Sequence, residues 1–254
     1  MIDLDALRKK HEKLQKTGSG DTDFQNMFLQ VQEGTNAVRV LPPKDDDKEF
    51  YAETQLHRVT MPDGNPRNFH CRKVHNETCP LCDAYQALWA EHNKLGLPKK
   101  EDSKFSIAAR KIKPRLRYYL NVIDRQDENK VKVLSIGVKV FNKIVGVMID
   151  PDFGDITDLE NGFDFKIKKK TPPGENQWPN YDESGPRPKP EPAGTKKEIA
   201  EIMDTLHDIH GLVRLEDYDD TKEIADHYIA TERPLKEDDK ENLSEEEFMK
   251  QLKT

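Results

Sequence analysis

Three cysteines are the whole thiol complement of this 254-residue chain, and all of them follow one histidine in a short window: His57, Cys71, Cys79 and Cys82. Thiolate and imidazole are the ligands zinc takes in a closed tetrahedral site, and the pair in Cys79-Pro-Leu-Cys82 can set two sulfurs on one ion from a single tight turn. The competing reading is that the thiols are small core hydrophobes. A disulfide would leave one cysteine over, and the acidic start Met1-Ile-Asp-Leu-Asp5 has no apolar run of a secretory signal behind it. A reducing compartment and a metal fit that pattern better. His70 and His75 lie in the same window and compete for the fourth position. His70 adjoins Cys71 and His75 would leave very short spacers, so His57 is favoured. Four protein ligands close a zinc site, which makes it structural and not catalytic.

The elements that must carry these ligands can be read around them. Residues 50–59 form a strand-like run holding His57, and Pro62-Asp63-Gly64-Asn65 supplies the turn of a hairpin that leads to Cys71. The last cysteine pair then opens a helix, Asp83 to Leu95, with Tyr85, Leu88 and Trp89 at helical spacing.

Composition sets the wider frame. Charged residues make up 35% of the chain and apolar ones 34%, against about 25% charged in an ordinary globular protein, so part of the chain is expected to lie outside a core. No run approaches the roughly 20 apolar residues of a membrane span. The net charge of -7 hides a polarity: residues 198–254 hold 18 acidic and 7 basic side chains, a net of -11, which leaves +4 on residues 1–197. From Lys99 to Lys143, 13 cations face 5 anions, a candidate polyanion-binding surface. Between the two parts, residues 171–195 carry seven of the sixteen prolines and can be neither helix nor central strand. The Gly185-Pro-Arg-Pro-Lys-Pro-Glu-Pro portion reads as a semi-extended spacer.

Ahead of that spacer the pattern is mainly strand: residues 36–41, 50–59, 105–109, 118–123, 131–138 and 163–168, with a helix expected over Lys139 to Ile149. The fold class expected is therefore mainly β with α insertions (α+β), its core an OB-type barrel with a small zinc-binding subdomain. Beyond the spacer, residues 196–209 and 221–229 read as amphipathic helices, and Ser244-Glu-Glu-Glu247 as a capping box ahead of Phe248, Met249 and Leu252. The stretch Phe105-Ser-Ile-Ala-Ala-Arg110-Lys111-Ile-Lys113-Pro-Arg115-Leu-Arg117-Tyr118-Tyr119 interleaves cations with aromatic rings. Single-stranded DNA calls for that mixture, since cations release counterions from phosphates and rings stack on unpaired bases without reading sequence. The opposing reading is that Phe105, Tyr118 and Tyr119 are core and the cations a solvated face.

The order of these segments, from Asn36-Ala-Val-Arg-Val-Leu-Pro-Pro43 through the His-Cys set, Tyr118-Tyr-Leu-Asn-Val-Ile123 and Lys139-Val-Phe-Asn-Lys-Ile144 to Asn180-Tyr-Asp-Glu-Ser184, resembles the single-stranded DNA-binding (helix-destabilising) protein of T-even-like bacteriophages, the gene thirty-two protein family. The resemblance covers residues 36–184. It implies an OB-type core with one structural Zn2+ on His57, Cys71, Cys79 and Cys82. It also implies sequence-independent, cooperative single-stranded DNA binding in phage replication, recombination and repair, in the cytoplasm of an infected bacterium. Phe105 stands where that family has a DNA-contacting tyrosine, Arg110 and Lys111 match its basic pair, Tyr118 and Tyr181 match aromatic contacts, and Trp178 takes a nearby aromatic place. The basic N-terminal motif that drives neighbour contacts is approximated by Arg8, Lys9 and Lys10.

The expected organisation is a self-associating arm (1–20), an OB-type core (21–184) with the zinc subdomain at about 55–95, a Pro-rich linker (185–195), and an acidic, helical and partly disordered tail (196–254). The expected partners are single-stranded DNA, further copies of the chain along it, and phage replication and recombination proteins reached through the tail, which also shields the cationic groove until DNA displaces it. An enzyme such as a zinc nuclease or deaminase is disfavoured, because no open metal position or His-x-Glu signature is present. The other rival is a zinc-containing interaction module or transcription factor that binds duplex DNA or RNA.

Overall fold

The computed structural model describes residues 26–44, 48–127, 130–174 and 177–232. Arg8, Lys9, Lys10 and the Ser244 capping box lie outside the described residues. The chain divides into two compact units, one comprising the residues up to Thr54 with Leu116–Val213, the other Gln55–Arg115 with the chain from Arg214 onward.

In the first unit β1 (Gly34–Val40), β4 (Arg115–Asp124), β5 (Val131–Gly137), β6 (Phe165–Lys169) and the two-residue β7 (Gly185–Pro186) join the opening residues of β2 (Tyr51–Thr60). β1 runs antiparallel to β4 and β6, with Val38 opposite Asp124 and Phe165, and β4 pairs antiparallel with β5. This is mainly antiparallel sheet with helices, an α+β arrangement. Successive strand residues point to opposite faces, and both faces of β4 are covered. Tyr118, Leu120 and Val122 join Val38, Val40, Leu134 and Phe165 in one core, while Tyr119 and Ile123 enter two smaller clusters. The helix expected at 139–149 is α3 (Val138–Met148), which buries Val140, Phe141 and Ile144 at spacings of one and three.

Two expectations about the chain beyond β6 change here. The segment Gly185–Pro192, read as a spacer, is fastened to the unit: Arg39 donates to the Glu191 carbonyl, and Arg125 to those of Pro192 (3.2 Å) and Ala193 (3.1 Å). The helix expected over 196–209 ends earlier, as α4 (Lys196–Asp204), started by a Thr195/Glu198 capping box. The chain after it is pulled out of helical register because its polar and apolar groups serve β4. Asn121 Nδ2 donates to the His207 carbonyl (2.9 Å), the His207 N–H donates to Asn121 Oδ1 (3.1 Å), and Leu206 and Ile209 are buried. Most of the acidic region is thereby folded: residues 198–232 hold 11 acidic and 2 basic side chains, a net of -9, and only -2 follows Glu232.

In the second unit β2 continues into the expected hairpin with β3 (Pro66–His70). Gly64 takes the left-handed φ of 83° that the turn needs, and the Met61 N–H donates to the Asn65 carbonyl. Three helices follow in this unit: α1 (Pro80–Lys94), α2 (Lys104–Ile112) and α5 (Tyr218–Glu232). Here the strand expected over 105–109 is overturned, for it lies within α2. Ser103 and Ser106 form a reciprocal capping box, and Phe105, Ala108, Ala109 and Ile112 fall on one buried face at helical spacing. Lys113, forced to extended backbone (φ -52°, ψ 129°) ahead of Pro114, ends the helix. α5 packs on α1 and α2 through Ala225 and Tyr228, whose hydroxyl donates to the Ala108 carbonyl at 3.1 Å.

Candidate metal centre and nucleic-acid interface

Three neighbouring pieces of the second unit bring the ligands together. His57 points inward from β2, Cys71 directly follows β3, Cys79 is the N-cap residue of α1 and Cys82 sits in its first turn, where Pro80 occupies the position that needs no N–H. All four side chains are buried, and their ligand atoms lie within 4.8 Å of one another. Cys71 Sγ is 3.5 Å from Cys82 Sγ, and His57 Nε2 is 3.5 Å from the sulfurs of both Cys79 and Cys82. A tetrahedral zinc with ordinary bond lengths puts sulfurs roughly 3.8 Å apart and sulfur and nitrogen roughly 3.6 Å apart, so the donor set fits that ion closely. Of the three histidines in this window, His57 is the one grouped with the sulfurs, and His70 and His75 stand outside the cluster.

The surroundings of His57 match this role. Its Nδ1 lies 2.7 Å from the Ile112 carbonyl, the bond that turns Nε2 toward the sulfurs. Burial pulls the His57 pKa down, but the bonds to Cys71, Cys79 and Ile112 outweigh it and hold the ring at about 9. Hydrogen bonds from Cys71 and Cys82 push the Cys79 thiol far below its ordinary range. A divalent cation bound there would take the place of the protons on the thiols and on His57 Nε2, since metal ligands bind deprotonated.

The cation and aromatic residues divide between the units. Phe105, Arg110, Lys111, Lys113 and Arg115 belong to the second, and Arg117, Tyr118, Tyr119, Trp178 and Tyr181 to the first. On α2, Phe105 is only 7% exposed and lies in the core beside the metal cluster, while Lys111 and Lys113 are exposed and Arg110 is paired with Asp102 at 2.5 Å. Helical spacing sets the exposed Ile107 among Lys104, Arg110 and Lys111, an apolar and basic face that reading this segment as a strand could not reveal.

In the first unit the rings form a compact group. Tyr118 stacks on Phe141, centroids 3.7 Å apart and planes 5° from parallel, and Tyr51 meets both edge-on at 5.8 and 4.7 Å. Phe50 and Tyr181 pack against the same core and are partly exposed. Burial raises the Tyr181 hydroxyl pKa, and the Arg117 charge works against that. Lys143 Nζ donates to the Asp182 carbonyl at 2.9 Å, tying α3 to the loop that carries Tyr181. Tyr119 is separate: it points to the opposite face of β4, meets Phe28 at 5.8 Å, and is held by burial at a pKa of about 12. Trp178 is 68% exposed. Tyr51, Phe50 and Phe141 are additions to the sequence-derived set. Their signal, aromatic residues on segments far apart in the chain, becomes visible only when β2, β4 and α3 meet.

Among the described residues no helix is long and apolar enough to cross a membrane. No curated protein matches the chain. The family model described as gp32 DNA binding protein like matches residues 32–230, a span that holds all four metal-ligand candidates and, Phe28 excepted, every described cation and ring discussed above. The chain belongs to the gp32 DNA binding protein like family.

Proposed function

We propose that the protein binds single-stranded DNA without reading its sequence, on an OB-type first unit, with one structural zinc in the second. The observation that carries this reading is the family match over residues 32–230. The geometry supports it, since partly exposed Tyr51, Phe50 and Tyr181 border a stacked Tyr118–Phe141 pair beside Arg117 and Lys143. Rings of that kind stack on bases for about 1–3 kcal/mol each, and cations nearby release phosphate counterions. Preference for unpaired strands shifts duplex melting by mass action. The zinc supplies folding free energy to the second unit and no chemistry toward DNA. Cooperative binding through Arg8, Lys9 and Lys10, service to phage replication, recombination and repair in the host cytoplasm, and partner docking by the residues after Glu232 complete the reading. Catalysis has no part in it.

Fluorescence anisotropy of a labelled oligo-dT and of a duplex of equal length, each titrated at low and moderate salt, tests the proposal. Salt-sensitive binding confined to the single strand is the expected result. The burial of Phe105, Tyr118 and Tyr119 leaves a smaller stacking surface than the sequence suggests, which is what favours the zinc-bearing interaction module as second reading. Preference for the duplex would select it.

A further inference from the structure

Lysines alternate along the outward face of β6, and the loop Asn180–Ser184 is clamped across that strand. The Lys170 N–H donates to the Asn180 carbonyl (2.9 Å) and the Asn180 N–H to that of Lys170 (2.7 Å). The Lys168 N–H donates to Ser184 Oγ (2.9 Å). The clamp turns Tyr181 toward the aromatic core and sets the Glu183 carboxylate between two ammonium groups, one oxygen accepting from Lys168 Nζ and the other from Lys170 Nζ. The three side chains line a cleft of about 310 Å³ and are 38%, 58% and 47% exposed, so water and solutes reach them. The lysine pair holds the Glu183 carboxyl down at about 2, which keeps it an anion throughout the neutral range.

A two-oxygen anion gripped by two lysines, two residues away from a ring of the proposed stacking surface, has the shape of a phosphodiester contact already filled. We propose that Lys168 and Lys170 form a backbone-phosphate subsite that Glu183 occupies in the free protein, so that a nucleic-acid strand must displace this internal anion to bind. The inference rests on the single-stranded DNA reading above. Exposed ion pairs are individually weak, so an incoming phosphate can exchange with Glu183 while the clamp keeps both lysines aimed. The carboxylate thus lowers affinity for any polyanion without blocking it, and tunes how strongly salt competes.

The test uses the full-length protein and labelled oligo-dT over a salt series, with Glu183→Gln, the double variant Lys168→Ala/Lys170→Ala, and the three changes combined. Glu183→Gln should bind about three- to tenfold tighter at low salt, the gain fading as salt screens it. The lysine variant should bind more weakly, with a salt slope shallower by about 0.7, the share of the one phosphate no longer neutralised. Adding Glu183→Gln to the lysine variant should bring no further gain. An equal gain in that background would mean that only net charge had changed, and would overturn the subsite, as would a Glu183→Gln affinity equal to that of the unaltered protein. Unchanged circular dichroism separates these outcomes from misfolding. Failure of the unaltered protein to bind oligo-dT overturns the parent reading and this one together, whereas normal binding with an inert Glu183→Gln overturns this one alone.

Discussion

The two units bury polar groups in opposite ways. In the first, Asp164 and Arg39 are wholly buried as an ion pair at 3.0 Å, and Arg125 adds a second guanidinium at 2.9 Å to the same carboxylate. Burial lowers the Arg39 pKa while Asp164 works to restore it. The remaining donors of both arginines end on the carbonyls of Asp158, Glu191, Pro192 and Ala193. Each of these bonds ends on a protein oxygen, and the half-exposed Arg187 stands 3.6 Å from the same carboxylate. In the second unit His57 and three thiols are buried together, and their ligand atoms face one another within 4.8 Å, an arrangement compatible with one metal ion. Small cores need a staple; the first unit makes its own from an ion pair, and the second gathers four side chains that could hold an ion.

Metal removal is the strongest way to break that contrast. Apparent zinc affinities in small domains amount to about 10–16 kcal/mol at neutral pH, so a chelator, or Cys79→Ser, should abolish amide-exchange protection in β3, α1 and α2 and leave β1, β4 and β6 protected. Elemental analysis should find one zinc per chain. Equal loss of protection in both units would erase the distinction.

The first unit's own staple comes next. Asp164→Ala leaves Arg39 buried without its carboxylate and should cost about 3–5 kcal/mol in denaturant unfolding. Replacing Arg39 and Asp164 together by apolar residues of similar volume should recover most of that cost. A midpoint unchanged by Asp164→Ala would show that the pair is not what holds Gly185–Ala193 in place.

A smaller effect separates recognition from folding. Trp178, being exposed, should lose about 1–3 kcal/mol of oligo-dT affinity on substitution by alanine if it stacks on a base, with no change in melting temperature. A melting shift without an affinity change would return it to a packing role.

The smallest effect lies on the alkaline side. The Tyr119 pKa is raised from 10 to about 12, so its neutral form is the one the fold favours. The stabilisation is fully present below pH 10 and is lost as pH rises through 12. Tyr119→Phe should flatten that limb of a pH–stability curve, and an unaltered slope would assign the loss to another group.

Parts of this arrangement are legible in the residues alone. The metal set is carried by ligand type and by the tight Cys79–Cys82 turn, the β2–β3 turn by Asp63-Gly64-Asn65, and α3 by the three- and four-residue spacing of Phe141, Ile144, Val145 and Met148. The α2 segment is equally available and misleading: its Ile107 and Phe105 suggest a strand, yet Ser103 and Ser106 cap a helix whose buried face is mostly small residues. Local chemistry outweighs intrinsic preference there.

What the sequence by itself determined is what depends on neighbours along the chain: donor types, turns, helix periods, and the split between a basic body and an acidic end. Only the tertiary structure decided which histidine lies with the three sulfurs, because that depends on β2 lying against the start of α1. It alone folded most of the acidic end into the units, since Leu206, Ile209, Ala225 and Tyr228 find apolar partners far away in sequence. It also sorted Tyr118 from Tyr119, because adjacent residues of a strand face opposite ways, and only the layers packed on each face say what either ring can touch.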